Sequence, residues 1–431
     1  MDMEVVIFGG GAAGLWLLDE LHRRGRRAVL LEANALGTGQ TVAAQGIIHG
    51  GLKYTLSGLL TKSAASIREM PAIWRKCLDG EREPNLRNVR RRSDECYLWR
   101  TDSLSSRLGM LGAQLGLRVA PQTVSDDDRP EILQGCPGTV ARMPEQVIST
   151  VSLIDALAVR NRERLLKVDP ARLIFECRAP GKVASIRLGQ ANGDQLELHP
   201  RTVIFTAGAG NSALRRGVGL TVEAMQRRPL HMVLLRGRAL PPFQGHCVDG
   251  AKTRVTITSD LDSAGRTVWQ VGGQIAEDGV AWDARTLLAI AREELRTVLP
   301  GMDFTSVKWS TYRVDRAEGI VPGSKRPESV QIRHDGNCLT AWPTKLALVP
   351  QLVAEIVKAI SKLDSIAMEL ADSDETENPS SGFQASRSWE RLPSSWPRPE
   401  VALPPWETAA HWFTNEDLDK SAQPASLPKA A

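Results

Sequence analysis

Tyrosine is scarce in this chain, with 3 among 431 residues, and aromatic residues make up only 5% of it. Cysteine is sparse as well: Cys77, Cys96, Cys136, Cys177, Cys247 and Cys338 are widely scattered, with no CxxC and no partnering histidine spacing. That pattern argues against a disulfide framework and gives no metal-ligating cluster, so the thiols read as reduced and the protein as cytoplasmic. No uncharged, strongly apolar run reaches the roughly 18 residues that span a bilayer. Asp2 and Glu4 stand where a secretory signal would carry positive charge, so any membrane contact is expected to be peripheral. Charge of one sign is not concentrated either. The net charge of +4 is spread thinly, and the basic runs at 87–92 and 160–167 are separated and mixed with acids, which describes solvated faces and no nucleic-acid footprint.

A hydrophobic fraction of 42% with 24% charged residues is ordinary for a globular protein, and 431 residues are long for a single core, so two domains are expected. The organising stretch is residues 5–32, VVIFGGGAAGLWLLDELHRRGRRAVLLE. An apolar run leads into Gly9-x-Gly11-x-x-Gly14, and Ala13, Leu17 and Leu21 then recur at helical spacing until Gly25. A second apolar run ends at Glu32. The unit is strand, turn, helix, strand. Gly9 serves the tight turn, Gly11 the close approach of backbone to a pyrophosphate, and Gly14 the packing of helix on strand. The helix start, with Ala12 and Ala13, offers unpaired N–H groups to phosphate. Glu32 is placed to accept from ribose hydroxyls and would repel a 2′-phosphate. The motif therefore indicates dinucleotide binding in a Rossmann-like α/β domain, and the absence of a second copy argues against a nicotinamide as regular partner.

Residues 33–54, beginning with Ala33 and including Thr41, Gln45, Gly46 and Ile48, are small or hydroxyl-bearing and carry no charge until Lys53, which suits a segment lying against a planar ligand. Helices are expected over about 59–78, 103–116, 152–166, 286–299 and 346–370. Strand candidates are 95–99, 172–177, 183–188, 195–198, 202–205, 231–235, 254–258 and 267–271, with another near Val307. The strand at 202–205 runs into Ala207-Gly208-Ala209-Gly210, a second approach of backbone to the dinucleotide. Beyond Ala371 the composition falls to Ser, Pro, Glu and Asp, which reads as disorder, yet four tryptophans (389, 396, 406 and 412) stand in it. Exposed indoles would be an association hazard, so residues 389–412 are expected to dock along the body or on a second subunit, with 371–382 as linker.

These segments together resemble the D-amino-acid oxidase superfamily of FAD oxidoreductases, nearest the glycerol-3-phosphate dehydrogenase and L-2-hydroxyglutarate dehydrogenase branches. The resemblance spans about 4–370 and rests most on residues 45–54, QGIIHGGLKY, then on the turn at 206–210 and the Pro343-Thr344-Lys345-Leu346 turn. It implies bound FAD held by Gly9, Gly11, Ala12, Ala13, Gly14, Glu32, Ala33, Thr41, Gln45, Gly46, Ile48, Ala207, Gly208, Lys345 and Leu346. It also implies a discontinuous FAD-binding domain (1–80, 145–225 and 320–370), a mixed or antiparallel sheet domain over the substrate (81–144 and 226–319), and a tail (371–431). Two departures stand out: Trp342-Pro343 replaces small glycines, and the substrate arginine would be Arg313 between Tyr312 and Val314, with Arg316 as rival.

Of the candidate chemical groups, His49 either takes the proton of an alcohol or amine while hydride leaves for flavin N5, or only packs against the flavin. Lys345 and the helix after it would steady an anionic reduced flavin. Arg313 would grip a carboxylate or phosphate unless Asp315 ties it into an ion pair. His231 and His246 read as structural. The expectation is an FAD-dependent dehydrogenase or oxidase acting on a small anionic CH–OH substrate, with the acceptor left open among oxygen, a quinone and a protein. A CH–NH oxidase and a flavin-binding partner subunit without turnover are the alternatives.

Overall fold

The computed structural model describes residues 1–50, 67–101, 122–249, 252–324, 326–374 and 392–420. The expected helix at 103–116, the first part of that at 59–78, Lys53, Tyr54 and Trp389 lie outside the described residues. Two eight-stranded sheets dominate. In the first, Asp2–Phe8 lies centrally between Ala28–Glu32 and Gln195–Phe205, parallel to both. Cys338–Trp342 extends the parallel set beyond Gln195–Phe205, and Leu165–Lys167 extends it beyond Ala28–Glu32. The central strands have both faces covered, so they read as unbroken apolar runs. Val5, Val6 and Ile7 are fully buried.

Two local readings are corrected here. The helix expected to reach 166 ends at Thr150–Asn161, because Leu165 and Leu166 are spent on an edge strand beside Leu30 and Leu31. Residues 195–198 and 202–205 are one strand, Gln195–Phe205. Its Pro200 falls where the antiparallel partner Lys182–Gly189 has ended and Cys338–Trp342 has not begun. A residue without an N–H costs the ladder little there.

The second sheet runs Lys308–Gly319, Met225–Gly237, Thr267–Gly272, Lys252–Leu261, Gln244–Asp249, Cys96–Arg100, Val140–Met143, Gln122–Thr123. It is antiparallel except where Gln244–Asp249 runs parallel to Cys96–Arg100. Helix Ala284–Val298 covers one face, burying Leu287, Leu288, Ala291 and Leu295 at helical spacing, and Asp283 caps it by accepting from the Thr286 N–H at 2.8 Å.

The disorder read from composition after Ala371 does not hold for 392–420. Trp396 is buried with Leu392 against the first sheet, and its indole N–H donates to the Lys167 carbonyl at 2.9 Å. Val401 forms a parallel bridge with Leu36. Trp406 is buried against Leu234 and Val268 of the second sheet, and the Arg236 guanidinium stacks on Trp412 at 3.9 Å. Phe413 exchanges both backbone hydrogen bonds with Trp309. The segment thus straps one sheet to the other, as three of its indoles required.

Candidate active site

A cavity of about 640 Å³ opens at the carboxyl ends of the central parallel strands. It brings together Gly9, Gly11, Ala12, Ala13, Glu32, Ala33, Thr41, Ala207, Gly208, Arg313, Lys345 and Leu346. Gly14, Gln45, Gly46, Ile48 and His49 do not line it. A smaller cavity of about 400 Å³, bounded by Arg92, Tyr97 and Phe243 among others, holds none of the predicted site residues.

The glycine turn has the steric logic its spacing predicts. Gly9 sits at φ +103°, and a Cβ there would lie 2.4 Å from Ala207 Cα. A Cβ on Gly14 would lie 2.0 Å from the Gly9 carbonyl oxygen. At Gly11 the nearest atom to a Cβ would be Thr41 Oγ1, at 3.1 Å, so this side of the turn is left open toward the cavity. Helix Ala12–Arg23 begins with no side-chain cap and no acid in its first turn. Its N-terminal donors and positive dipole end suit a diphosphate. Glu32 lines the cavity while its carboxylate accepts from the Gly10 N–H at 2.6 Å and the Asn34 N–H at 2.8 Å, which fixes its orientation.

At the opposite end Thr344 holds φ +65°, a strained position for a β-branched residue, with its hydroxyl donating to the Ser329 carbonyl at 2.8 Å. That turn delivers the buried Lys345 to the cavity. A short 3-10 turn, Leu346–Leu348, leads into helix Val349–Asp374, and Leu346 and Val349 both line the wall. Trp342 is 1% exposed, lines the cavity and has its indole N–H without a partner. Buried donors in folded proteins are nearly always paired, so this one fits a polar ligand in the cavity.

Two predicted site residues have partners within the fold. Arg313 lines the cavity while its guanidinium donates to the Val280 carbonyl at 3.0 Å and the Trp282 carbonyl at 2.7 Å, which fixes its orientation. Arg316 pairs with Glu277 at 3.0 Å. Gln45 is drawn away from the cavity: its amide donates to the carbonyls of Thr256 at 2.9 Å and Gln270 at 3.0 Å, tying its loop to the second sheet. The Tyr312 hydroxyl adds to that tie by donating to the Ala43 carbonyl at 2.9 Å.

Gly46, at φ +77°, packs where a Cβ would be 2.0 Å from the Ile148 carbonyl oxygen. Ile48 is fully buried, and its N–H donates to the Gln146 carbonyl at 2.8 Å. This pairing of 46–48 with 146–148 carries His49 to Glu145. His49 Nδ1 lies 3.4 Å from Glu145 Oε2, and His246 Nε2 lies 3.9 Å from the same oxygen. The donor atoms of the three residues all fall within 4.8 Å of one another. Glu145 Oε1 accepts from the Gly50 N–H at 2.7 Å, and His246 Nδ1 meets Thr256 Oγ1 at 2.9 Å. Burial alone would raise the Glu145 pKa. The hydrogen bond and charge of His49, the charge of His246 and the Gly50 N–H outweigh it, and the carboxyl titrates below its ordinary value.

His246 therefore belongs to this cluster, whereas His231 is structural, bonded through Nδ1 to the Gly279 carbonyl at 3.0 Å. Glu145, His246 and Trp342 have no local sequence signal for these positions. Only strand pairing joins positions 49, 145 and 246.

The model of the family described as FAD dependent oxidoreductase (DAO) matches residues 4–333. A probable FAD-dependent oxidoreductase of Pseudomonas aeruginosa is 38% identical over 413 residues, covering 95% of this chain and 98% of that protein. The chain belongs to the DAO family of FAD-dependent oxidoreductases. FAD is accordingly the cofactor of this oxidoreductase, and the glycine turn, the helix start and the unpaired Trp342 N–H fit it. The crystal structure of an FAD dependent oxidoreductase from Pseudomonas aeruginosa superposes with a TM-score of 0.76 at 35% identity, over 95% of this chain and 98% of that one. Glycine oxidase from Geobacillus kaustophilus has a TM-score of 0.60 at 16% identity, over 84% and 95%. Reduced L-alpha-glycerophosphate oxidase from Mycoplasma pneumoniae, with FAD bound, has a TM-score of 0.60 at 13% identity over the same shares. Those last two share the fold with this oxidoreductase. No helix among the described residues is long and apolar enough to cross a membrane.

Proposed function

We propose that this oxidoreductase oxidises a small anionic substrate at a CH–OH group, as the glycerol-3-phosphate and L-2-hydroxyglutarate dehydrogenase branches do, and works in the cytoplasm. The observation that carries this reading is the approach of His49 to the buried Glu145 carboxylate. A neutral amine already carries the lone pair that expels hydride, whereas an alcohol must give up its hydroxyl proton as hydride leaves, so alcohol oxidation calls for a base. A buried carboxylate kept anionic favours the proton on His49 Nδ1, which leaves Nε2 with a lone pair. His49 then takes the hydroxyl proton, Glu145 steadies the imidazolium, and His246 shares that carboxylate. FAD, held along the glycine turn, supplies the two-electron acceptor when bound. Lys345 contributes a buried cation to the cavity wall and favours an anionic ligand.

Anaerobic bleaching of the flavin absorbance by a panel of hydroxy acids, polyol phosphates, amino acids and amines tests the substrate class. Hydroxy substrates are expected to bleach it. Bleaching by amines alone transfers the reading to CH–NH oxidation, and bleaching by none supports a partner subunit without turnover. In parallel, His49→Ala should slow the bleaching by about 10²–10⁴, the usual worth of general-base catalysis. A loss below about tenfold removes His49 from the role.

A further inference from the structure

The wall of the cavity around Glu32 is built from two loops. One carries Ala33, Asn34 and Thr38; the other carries Val168, Pro170 and Leu173. Leu36 lies inside the first loop's lining residues, and Lys167 directly precedes those of the second. Both are fastened by the C-terminal segment. The Leu36 N–H donates to the Glu400 carbonyl at 2.7 Å, and the Ala402 N–H donates to the Leu36 carbonyl at 2.9 Å. The Lys167 N–H donates to the Pro397 carbonyl at 2.9 Å, and the Trp396 indole N–H donates to the Lys167 carbonyl at 2.9 Å. A single short stretch thus holds both loops, which are otherwise joined by the Val168 N–H to the Glu32 carbonyl at 2.9 Å. Trp396, with Leu392, fills the surface beside Leu166, Val168 and Leu31 in one apolar cluster.

We propose that residues 396–402 are a positioning element of the cofactor site, holding the Glu32 wall in the shape that FAD requires. A wall already in its bound form loses less conformational freedom on binding, so affinity rises without any contact between tail and ligand. The strap's other half, Trp406 to Phe413, lies on the second sheet and has no such role. This separates the inference from general stabilisation by the tail.

The test uses full-length apoprotein and FAD, with the dissociation constant read from quenching of flavin fluorescence and folding checked by circular dichroism. Trp396→Ala is expected to weaken FAD binding by about tenfold or more. Trp406→Ala removes an equally buried indole from the second sheet and is expected to weaken it by less than about threefold. Trp396→Phe keeps most of the apolar packing, loses only the donor to Lys167, and should fall between them if Trp396→Ala fails to fold. An unchanged constant for Trp396→Phe and Trp396→Ala, or equal weakening by Trp406→Ala and Trp396→Ala, overturns the proposal.

Discussion

Two glycines three positions apart should fail in opposite ways when each receives a single methyl group. At Gly14 a Cβ would meet the Gly9 carbonyl oxygen at 2.0 Å and Thr206 Oγ1 at 2.7 Å, both part of the turn itself. The Gly9 carbonyl is held in place, because it accepts from the Thr206 hydroxyl at 3.1 Å. Forcing extra volume into a site this tight costs about 3 kcal/mol or more. For a chain of 431 residues that lowers the melting temperature of Gly14→Ala apoprotein by about 3 °C or more. At Gly11 the one atom among the described residues within 4 Å of a Cβ would be Thr41 Oγ1, at 3.1 Å, and the backbone angles (φ −78°, ψ −176°) suit any residue. Alanine in place of glycine at the start of a helix costs about 1 kcal/mol or less, so the apoprotein should melt within about 1 °C of the wild type. Its methyl group, however, occupies the open side of the turn where the diphosphate must approach, and FAD affinity should fall about tenfold or more. Differential scanning fluorimetry on apoprotein and fluorescence titration with FAD separate the two effects. Full FAD affinity in Gly11→Ala, or an unchanged melting temperature in Gly14→Ala, refutes the assignment of those roles.

Glu145 titrates below its ordinary value of 4.5, so the stability it contributes is fully present above that pH and is lost as acidity passes through its lower native pKa. Glu145→Gln should therefore melt at a temperature that changes less than the wild type's between about pH 5 and pH 3, measured at fixed ionic strength; identical acid limbs would contradict the pairing with His49. Of the six cysteines only Cys177 is exposed, and burial pushes Cys77 and Cys136 up to about 11 and Cys338 up to about 12. A chromogenic disulfide reagent at pH 8 should consequently label one thiol quickly in the native protein and all six after unfolding, and rapid labelling of more than one would show that the described cores open readily.

The first 32 residues were legible because each signal in them is local: an apolar run, a glycine turn, a helical period and a terminal acid. The cofactor followed from the same stretch and the resemblance beyond it. The candidate site was legible only in part, since Gln45 sits in the segment expected beside the ligand yet turns its amide to Thr256 and Gln270, more than 200 positions away. Composition cannot reveal that pull, because it depends on which strand ends lie opposite. Glu145 and His246 were hidden for the same reason: neither stands in a motif, and only strand pairing brings His49 to them. Arg313 reaches the cavity wall as read, but its two bonds to backbone carbonyls had no signal in the sequence. In the tail the overall composition misled over 392–420, because two buried indoles, Trp396 and Trp406, and the half-buried Trp412 outweigh a polar average over 29 residues.

The strap also fixes when this molecule can be finished. Its central strand, Asp2–Phe8, precedes its partners in the sequence and waits for Gln195–Phe205, which in turn waits for Cys338–Trp342, and the loop at Leu36 waits for Glu400. Pairings this distant in sequence form slowly, and unpaired strand edges invite association while they wait. A nascent chain must therefore carry a complete glycine turn with an unfinished wall until residues 396–402 have been made. A premature stop between residues 343 and 391 would leave both sheets encoded but the seam between them unsewn.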